Sequence, residues 1–353
     1  METVVVIGGG ASGMMAALTA AGSPGRHVIV LERQQRVGRK LLATGNGRCN
    51  LTNTGAAPGN YHGELPEFAR SVLERFTPQD TLDFFHSLGL ITVTEYGGRV
   101  YPLSNSANSV VDVLRFALER AGVELRCSTS AREIVRRDGG YTVRTDGGDI
   151  PADWLIVACG GAAGAKLGGV MDGYELLKPL GHKRTKLFPS LVQITTEPEY
   201  PRALKGVRAD AAVELVCGGE VLAESGGELQ FTETGVSGPA AFDISRSVSS
   251  GGDGLSLRID FLRGYGSGEV LTMLEARRSA LPGLESAELF TGMLHNRLGR
   301  MLVKYAGLDA RSPLKALDGG ALRRAADACK RFELKVTGTE GFDSAQVTAG
   351  GIR

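Results

Sequence analysis

The chain opens on an unbroken apolar run, Val4-Val5-Val6-Ile7, the pattern of a strand buried on both faces. Residues 12–22, rich in Ala, Met and Leu, read as a helix, and His27-Val28-Ile29-Val30-Leu31 reads as a second buried strand. Strand, helix and strand at so short a spacing predict a βαβ unit with a parallel pair. Helices are expected near 64–75 and 78–88. Another should run over about 108–121, where Val110, Val111, Leu114, Ala117, Leu118 and Ala121 recur at helical spacing. From 123 to 158 the pattern shortens to strands, with Asp138-Gly139-Gly140 and Asp146-Gly147-Gly148 as hairpin turns and Trp154–Ala158 as a fully apolar strand. A helix should start at Asp172, which could cap its own N-terminus.

Beyond residue 186 the pattern changes. Ala211–Cys217 and Leu255–Phe261 look like strands, Pro239 opens a helix through about 249, and 268–328 look largely helical. Phe332–Val336 and Ala345–Thr348 look like strands returning to the first domain. The expected organisation is a first domain over 1–185 completed by 341–353, a β-rich insertion over 186–265, and a mainly helical insertion over 266–340. The 353 residues exceed what one core usually holds, which supports more than one domain.

Composition changes this picture at three points. Glycine is abundant, 50 residues, and clusters in short tracts that suit tight turns and close backbone approach to a ligand. The formal net charge of +1 and the lack of a long Lys/Arg run argue against nucleic acid as a partner. Five scattered cysteines without a C-x-x-C pair point away from a zinc site or dithiol centre and fit a reducing cytosol. The N-terminus lacks the basic start and apolar core of a signal peptide, and no stretch approaches the roughly 20 apolar residues of a membrane span. A cytoplasmic protein without a membrane partner is therefore expected; its oligomeric state stays open.

The candidate chemistry begins at Gly8-Gly9-Gly10-Ala11-Ser12-Gly13, a G-x-G-x-x-G that directly follows a strand and opens a helix. Glu32 closes the second strand about 20 residues further on. Gly8 allows the tight turn, Gly10 lets the backbone approach a pyrophosphate, and Gly13 permits close helix–strand packing. The helix start offers free N–H groups to the phosphates, and Glu32 can accept from ribose hydroxyls. This fingerprint alone does not separate NAD from FAD. The segment Val37–Asn53 favours FAD over a plain solvated surface loop, because its dense glycine and polar residues offer many backbone donors, which the flavin and ribityl parts of FAD would need. Arg39, Lys40 and Arg48 could add positive charge near the pyrophosphate.

These segments resemble the BaiN-like family of FAD-dependent oxidoreductases, which includes aminoacetone-oxidase-like enzymes. The resemblance rests on the glycine fingerprint, Gly38-Arg39-Lys40 and Thr44–Asn50, and continues through Arg99-Val100-Tyr101-Pro102, Ala158–Gly161, Asp172-Gly173-Tyr174 with Gly181-His182, Phe231–Pro239 and Val347–Gly351. It spans essentially the whole chain. It implies FAD as cofactor, hydride or electron transfer with a small organic substrate (amines such as aminoacetone, or unsaturated steroid-like ketones), and NAD(P)H as a transient reductant or oxygen as acceptor. Glu233 stands where the family usually has histidine. The family pattern also continues beyond V-T-A-G-G into a segment resembling G-L-Y-F-A-G-E that completes the flavin site, whereas this sequence stops at Arg353.

The expected cofactor-binding residues are Gly8, Gly10, Ala11, Ser12, Gly13, Glu32, Arg33, Arg39, Lys40, Thr44, Gly45, Asn46, Gly47, Arg48, Cys49, Asn50, Ala131, Ala158, Gly160 and Gly161. The five histidines show no metal spacing, Ser237 reads as a helix-start residue, and no side chain stands out as general acid or base. The expected fold is α/β, a Rossmann-like FAD domain carrying a β-rich and helical insertion. Three alternatives differ in kind. An NAD-only dehydrogenase would not need the Gly38–Asn53 loop, and a disulfide reductase would carry C-x-x-C and a second fingerprint. The third is a non-catalytic or fragmentary nucleotide-binding protein that lacks the final flavin-site segment.

Overall fold

The computed structural model describes residues 1–63, 65 and 67–353, in two compact units: 1–186 with 350–353, and 187–349. Unit 1 begins β1 (Glu2–Ile7), α1 (Ala11–Ala21), β2 (Arg26–Leu31), β3 (Thr52–Asn53), α2 (Glu67–Arg75), α3 (Pro78–Ser87), β4 (Thr92–Thr94), β5 (Arg99–Pro102), α4 (Ala107–Arg120) and β6 (Glu124–Arg126). It continues through β7 (Ala131–Arg137), β8 (Gly140–Thr145), β9 (Gly148–Ala152), β10 (Trp154–Val157) and α5 (Asp172–Leu177). Glu64 and Pro66, within the helix expected over 64–75, lie outside the described residues.

The parallel sheet runs β10-β1-β2-β6, with Val4 opposite both Trp154 and Val28. Side-chain alternation divides its two faces. Val4, Val6, Val28 and Val30 meet Met14 and Ala17 of α1 and Leu114 and Leu118 of α4. Val5, Ile7, Ile29 and Leu31 meet Ile134, Val143 and Ile150 from the antiparallel β7-β8-β9 sheet. Covering both faces explains why β1 and β2 are apolar throughout rather than alternating. The chain is thus α/β with a Rossmann-like parallel sheet.

Asp172 does not cap its helix as expected. It is the first helical residue, Met171 holds the cap position, and the Asp172 carboxylate faces Arg33 at 3.8 Å. Gly351 and Arg353 lie beside the end of unit 1, through Thr185 N–H to Gly351 O and Arg353 N–H to Lys183 O.

Unit 2 contains β11 (Phe188–Ser190), β12 (Ile194–Thr196), α6 (Glu199–Leu204), β13 (Arg208–Cys217), β14 (Glu220–Phe231), β15 (Gly235–Ser237), α7 (Pro239–Ser250) and β16 (Leu255–Asp260). Then follow α8 (Ser267–Ala280), α9 (Asn296–Tyr305), α10 (Gly319–Lys330), β17 (Phe332–Thr339) and β18 (Val347–Ala349). Six strands close a barrel in the order β12-β15-β14-β13-β16-β17. This differs from the expected division at 265. β17 pairs with β16 and β12 to close the barrel, and residues of α8, α9 and α10 share one core with it, including Leu274, Leu302 and Leu322.

The strands expected to return to the first domain also stay in unit 2, β17 in the barrel and β18 paired with β11. Only 350–353, not 341–353, group with unit 1. A closed barrel leaves no unpaired edge, which is the physical reason β17 belongs there. The cap of α7 is Gly238 at φ +96°, with Pro239 at the first helical position and Ser237 at the end of β15.

Candidate functional site

The site lies in unit 1, at the carboxyl end of the parallel strands, where open α/β sheets bind ligands. β1 ends at Gly8, whose φ of +109° favours glycine and whose N–H donates to Leu31 O at 2.8 Å. A Cβ at Gly8 would stand 2.4 Å from Ala158 O, and one at Gly13 would stand 1.8 Å from Gly8 O. These two glycines let β1, β10 and α1 come together. Gly10 differs: it caps α1 with φ −78°, and the space its Cβ would occupy is open. Lacking a side chain, Gly10 cannot cap the first N–H groups of α1, which remain directed past the helix end.

Around this turn is a cavity of ≈ 380 Å³, within the range of small-molecule sites. Of the residues expected to bind cofactor, Gly8, Gly10, Ala11, Ser12, Glu32, Arg33, Arg39, Lys40, Thr44, Ala131, Ala158, Gly160 and Gly161 line it. Glu32 is fixed by two backbone donors: Gly9 N–H reaches Oε2 and Gln34 N–H reaches Oε1, both at 2.8 Å. Each carboxylate oxygen retains a second acceptor direction for a hydroxyl. Lys40 Nζ donates to Ala163 O at 2.6 Å, and burial lowers the pKa of its ammonium. Arg39 donates to Gln34 Oε1 at 2.7 Å and to Lys166 O at 3.1 Å.

The remaining expected residues do not line the cavity. Gly13 works by packing. Gly45, Asn46 and Gly47 form an exposed turn with φ of 55°, 56° and 83°. Arg48 turns away from the cavity. It pairs with Glu95, holding that carboxyl below the ordinary range, donates to Asn105, and stacks 3.9 Å from the Tyr101 ring centre. Cys49 is buried with φ +61°, its N–H bonded to Thr44 O at 3.0 Å, and Asn50 is exposed. This run therefore shapes the loop that carries Thr44.

Several lining residues were missed from sequence. Gly9, Gln34 and Gly38 lie inside or beside segments already singled out. Thr129 and Ser130 gave no sequence signal: they reach the cavity because Thr129 N–H bonds Glu32 O and Ser128 N–H bonds Gln34 O, both at 2.9 Å. Cys159 and Asp172 also line it.

Burial, with Asp172 and Glu32 adding negative charge, pushes the Cys159 thiol up to about 11. A raised thiol pKa favours the neutral form, so alkylation by iodoacetamide at pH 8 should be on the order of 100-fold slower than for an ordinary cysteine. The rate should climb only as pH approaches 11. Peptide mass spectrometry against a free cysteine peptide measures this; labelling at the ordinary rate would contradict the assignment.

The structure fits a dinucleotide on its own terms. The open Cβ position at Gly10 leaves room for a diphosphate at the helix start, and Glu32 offers a fixed carboxylate for a ribose. The HI0933-like protein Rossmann domain matches residues 2–353.

The chain belongs to the HI0933-like Rossmann family.

A 3-dehydro-bile acid delta(4,6)-reductase of Clostridium scindens is 39% identical over 100% of this chain and 87% of its own length. A ribosomal RNA dihydrouridine synthase of Escherichia coli is 29% identical over 99% of this chain and 84% of its own length. Among solved structures, the open conformation of a flavocytochrome c3 fumarate reductase is similar at 17% identity and a TM-score of 0.42, covering 87% of this chain and 61% of that one. The resemblance carried by the sequence motifs thus extends over the full chain, and the protein is a flavin-dependent oxidoreductase with FAD as its cofactor. These relatives are enzymes and do not favour a non-catalytic nucleotide-binding protein.

Among the described residues, no helix is long and apolar enough to cross a membrane, and no three metal-ligating side chains stand together. Glu233, where the resembled family has histidine, pairs with Lys205 at 2.7 Å in unit 2.

Proposed function

We propose that this oxidoreductase reduces a carbon–carbon double bond conjugated to a carbonyl, in a small substrate, with NAD(P)H as the external reductant. The observation that carries the cofactor half is the space beside Gly10, framed by the start of α1, Glu32 and three cations. The chemical half is supported by two relatives whose names both describe saturating such a bond, one in a 3-dehydro-bile acid and one in a ribosomal uridine. Their shared chemistry favours reduction over amine oxidation. The free small molecule is favoured over RNA by the net charge of +1, since phosphate-backbone binding is driven by clustered cations.

When bound, FAD supplies the electron transfer itself. The chain's residues then have defined tasks. The first turn of α1 receives the diphosphate on its N–H groups, Glu32 fixes the ribose hydroxyls, and Arg39 and Lys40 supply positive charge beside them. Gly160 and Gly161 line the cavity without contributing side chains of their own. Thr44 brings the edge of the 41–50 loop to the cavity. Five free cysteines fit a reducing compartment, and we place the protein in the cytoplasm.

The test is a spectrum followed by a substrate screen. After incubation with FAD and desalting, the chain should retain flavin bands and release FAD, not FMN, on denaturation. NADH or NADPH should bleach those bands anaerobically, and a steroid 4-en-3-one should restore them. A colourless chain would overturn the cofactor assignment. Reoxidation by uridine-containing RNA but not by the enone would move the substrate to nucleic acid. Bleaching by aminoacetone would replace reduction with amine oxidation.

A further inference from the structure

The segment 161–170 is closed on itself and tied to the loop after β2 by three cations that line the same cavity. Val170 N–H donates to Gly161 O at 3.2 Å and Gly169 N–H to Gly164 O at 3.0 Å, so its ends meet like those of a compact surface loop. Gly164 and Gly168 turn it with φ of +69° and +102°. From the facing loop after β2, Lys40 donates to Ala163 O at 2.6 Å, Arg39 to Lys166 O at 3.1 Å and Arg33 to Gly168 O at 3.3 Å. Arg33 also faces Asp172, just beyond the segment, at 3.8 Å. Gly161, Leu167, Gly168 and Val170 line the cavity, and so do the three cations.

We propose that 161–170 is a lid over the dinucleotide cavity and that Arg33, Arg39 and Lys40 are its latch, setting the rate at which cofactor enters and leaves. This rests on the FAD reading above. The acceptors are neutral carbonyls, and Arg33 and Arg39 are exposed, so each latch bond is of modest strength and can open. Phosphate oxygens are stronger acceptors for the same cations. The latch and a diphosphate therefore draw on one set of donors, which couples lid position to cofactor occupancy. Glycine at the two turning positions gives the backbone the freedom to swing without strain.

Removing the latch separates a gate from a simple phosphate contact. Losing a phosphate contact slows association or speeds release; unlatching a lid speeds both. In the chain without added cofactor, Arg39→Met/Lys40→Met should raise amide hydrogen exchange over 161–170 by roughly fivefold or more, the effect of one net hydrogen bond, while β1 and β2 stay unchanged. Stopped-flow quenching of FAD fluorescence should then show both association and dissociation accelerated.

Unchanged exchange over 161–170, or faster exchange with slower association, would overturn the lid. If the unaltered chain takes up no FAD, the cofactor reading fails and the lid's proposed cargo fails with it. FAD uptake with unaltered exchange in the variant leaves the cofactor reading standing and removes the lid alone.

Discussion

Gly10→Ala should leave the fold intact and remove most of the FAD affinity, whereas Gly13→Ala should damage the fold itself. The two glycines belong to one fingerprint, yet the structure gives them opposite surroundings. A methyl group at Gly10 enters open space at a φ of −78°, which any residue adopts. Its stability cost should stay within about 1 kcal/mol, the scale of a changed N-cap. The same methyl occupies the space proposed for the diphosphate. Holding the phosphates away from two N–H groups at the helix start would forfeit charge-assisted bonds of roughly 1.5–3 kcal/mol each, on the order of a 100-fold loss in affinity or more.

A methyl at Gly13 instead meets Gly8 O at 1.8 Å, so α1 must move away from β1. That should cost about 3 kcal/mol or more, as overpacking against fixed backbone does. Thermal melts without cofactor and FAD titration together measure both effects. A Gly10→Ala chain that binds FAD like the parent would place the diphosphate elsewhere.

The second large effect is expected at Glu32. Its carboxylate holds Gly9 N–H and Gln34 N–H, each at 2.8 Å, and so ties the glycine turn to the loop after β2. Glu32→Ala leaves two partly buried donors without their acceptor, at about 1 kcal/mol or more apiece. The melting temperature of the cofactor-free chain should therefore fall by several degrees, corresponding to about 2–4 kcal/mol. FAD affinity should fall as well, since the same side chain is proposed to hold the ribose. Glu32→Gln keeps one acceptor oxygen and should lie between the two. An Ala variant as stable as the parent would show that the carboxylate does not brace the turn, and its role would reduce to the ligand.

These two positions also show what could be read without the structure. The roles of Gly8 and Gly13 followed from the fingerprint because a strand feeding a helix at that spacing leaves no room for a Cβ at either place. Glu32 followed from its place at the end of β2. Arg48 did not. A cation in a glycine-rich loop looked like a phosphate ligand, but Tyr101, Glu95 and Asn105, all distant in sequence, hold it away from the cavity. Thr129 and Ser130 were invisible for the converse reason: two polar residues between strands become cavity wall only when backbone bonds to Glu32 and Gln34 draw them in.

By itself the sequence determined the βαβ start, the glycine turn and the acidic residue after the second strand, because these are local patterns read over a few turns of chain. It also carried the family resemblance. Only the tertiary structure decided that β17 closes a barrel instead of returning to the first domain, that α8–α10 share the barrel's core, and which charged side chains face the cavity. Strand partners and side-chain direction depend on contacts between residues far apart in the chain, and hydrophobic periodicity reports that a face is buried without naming what buries it.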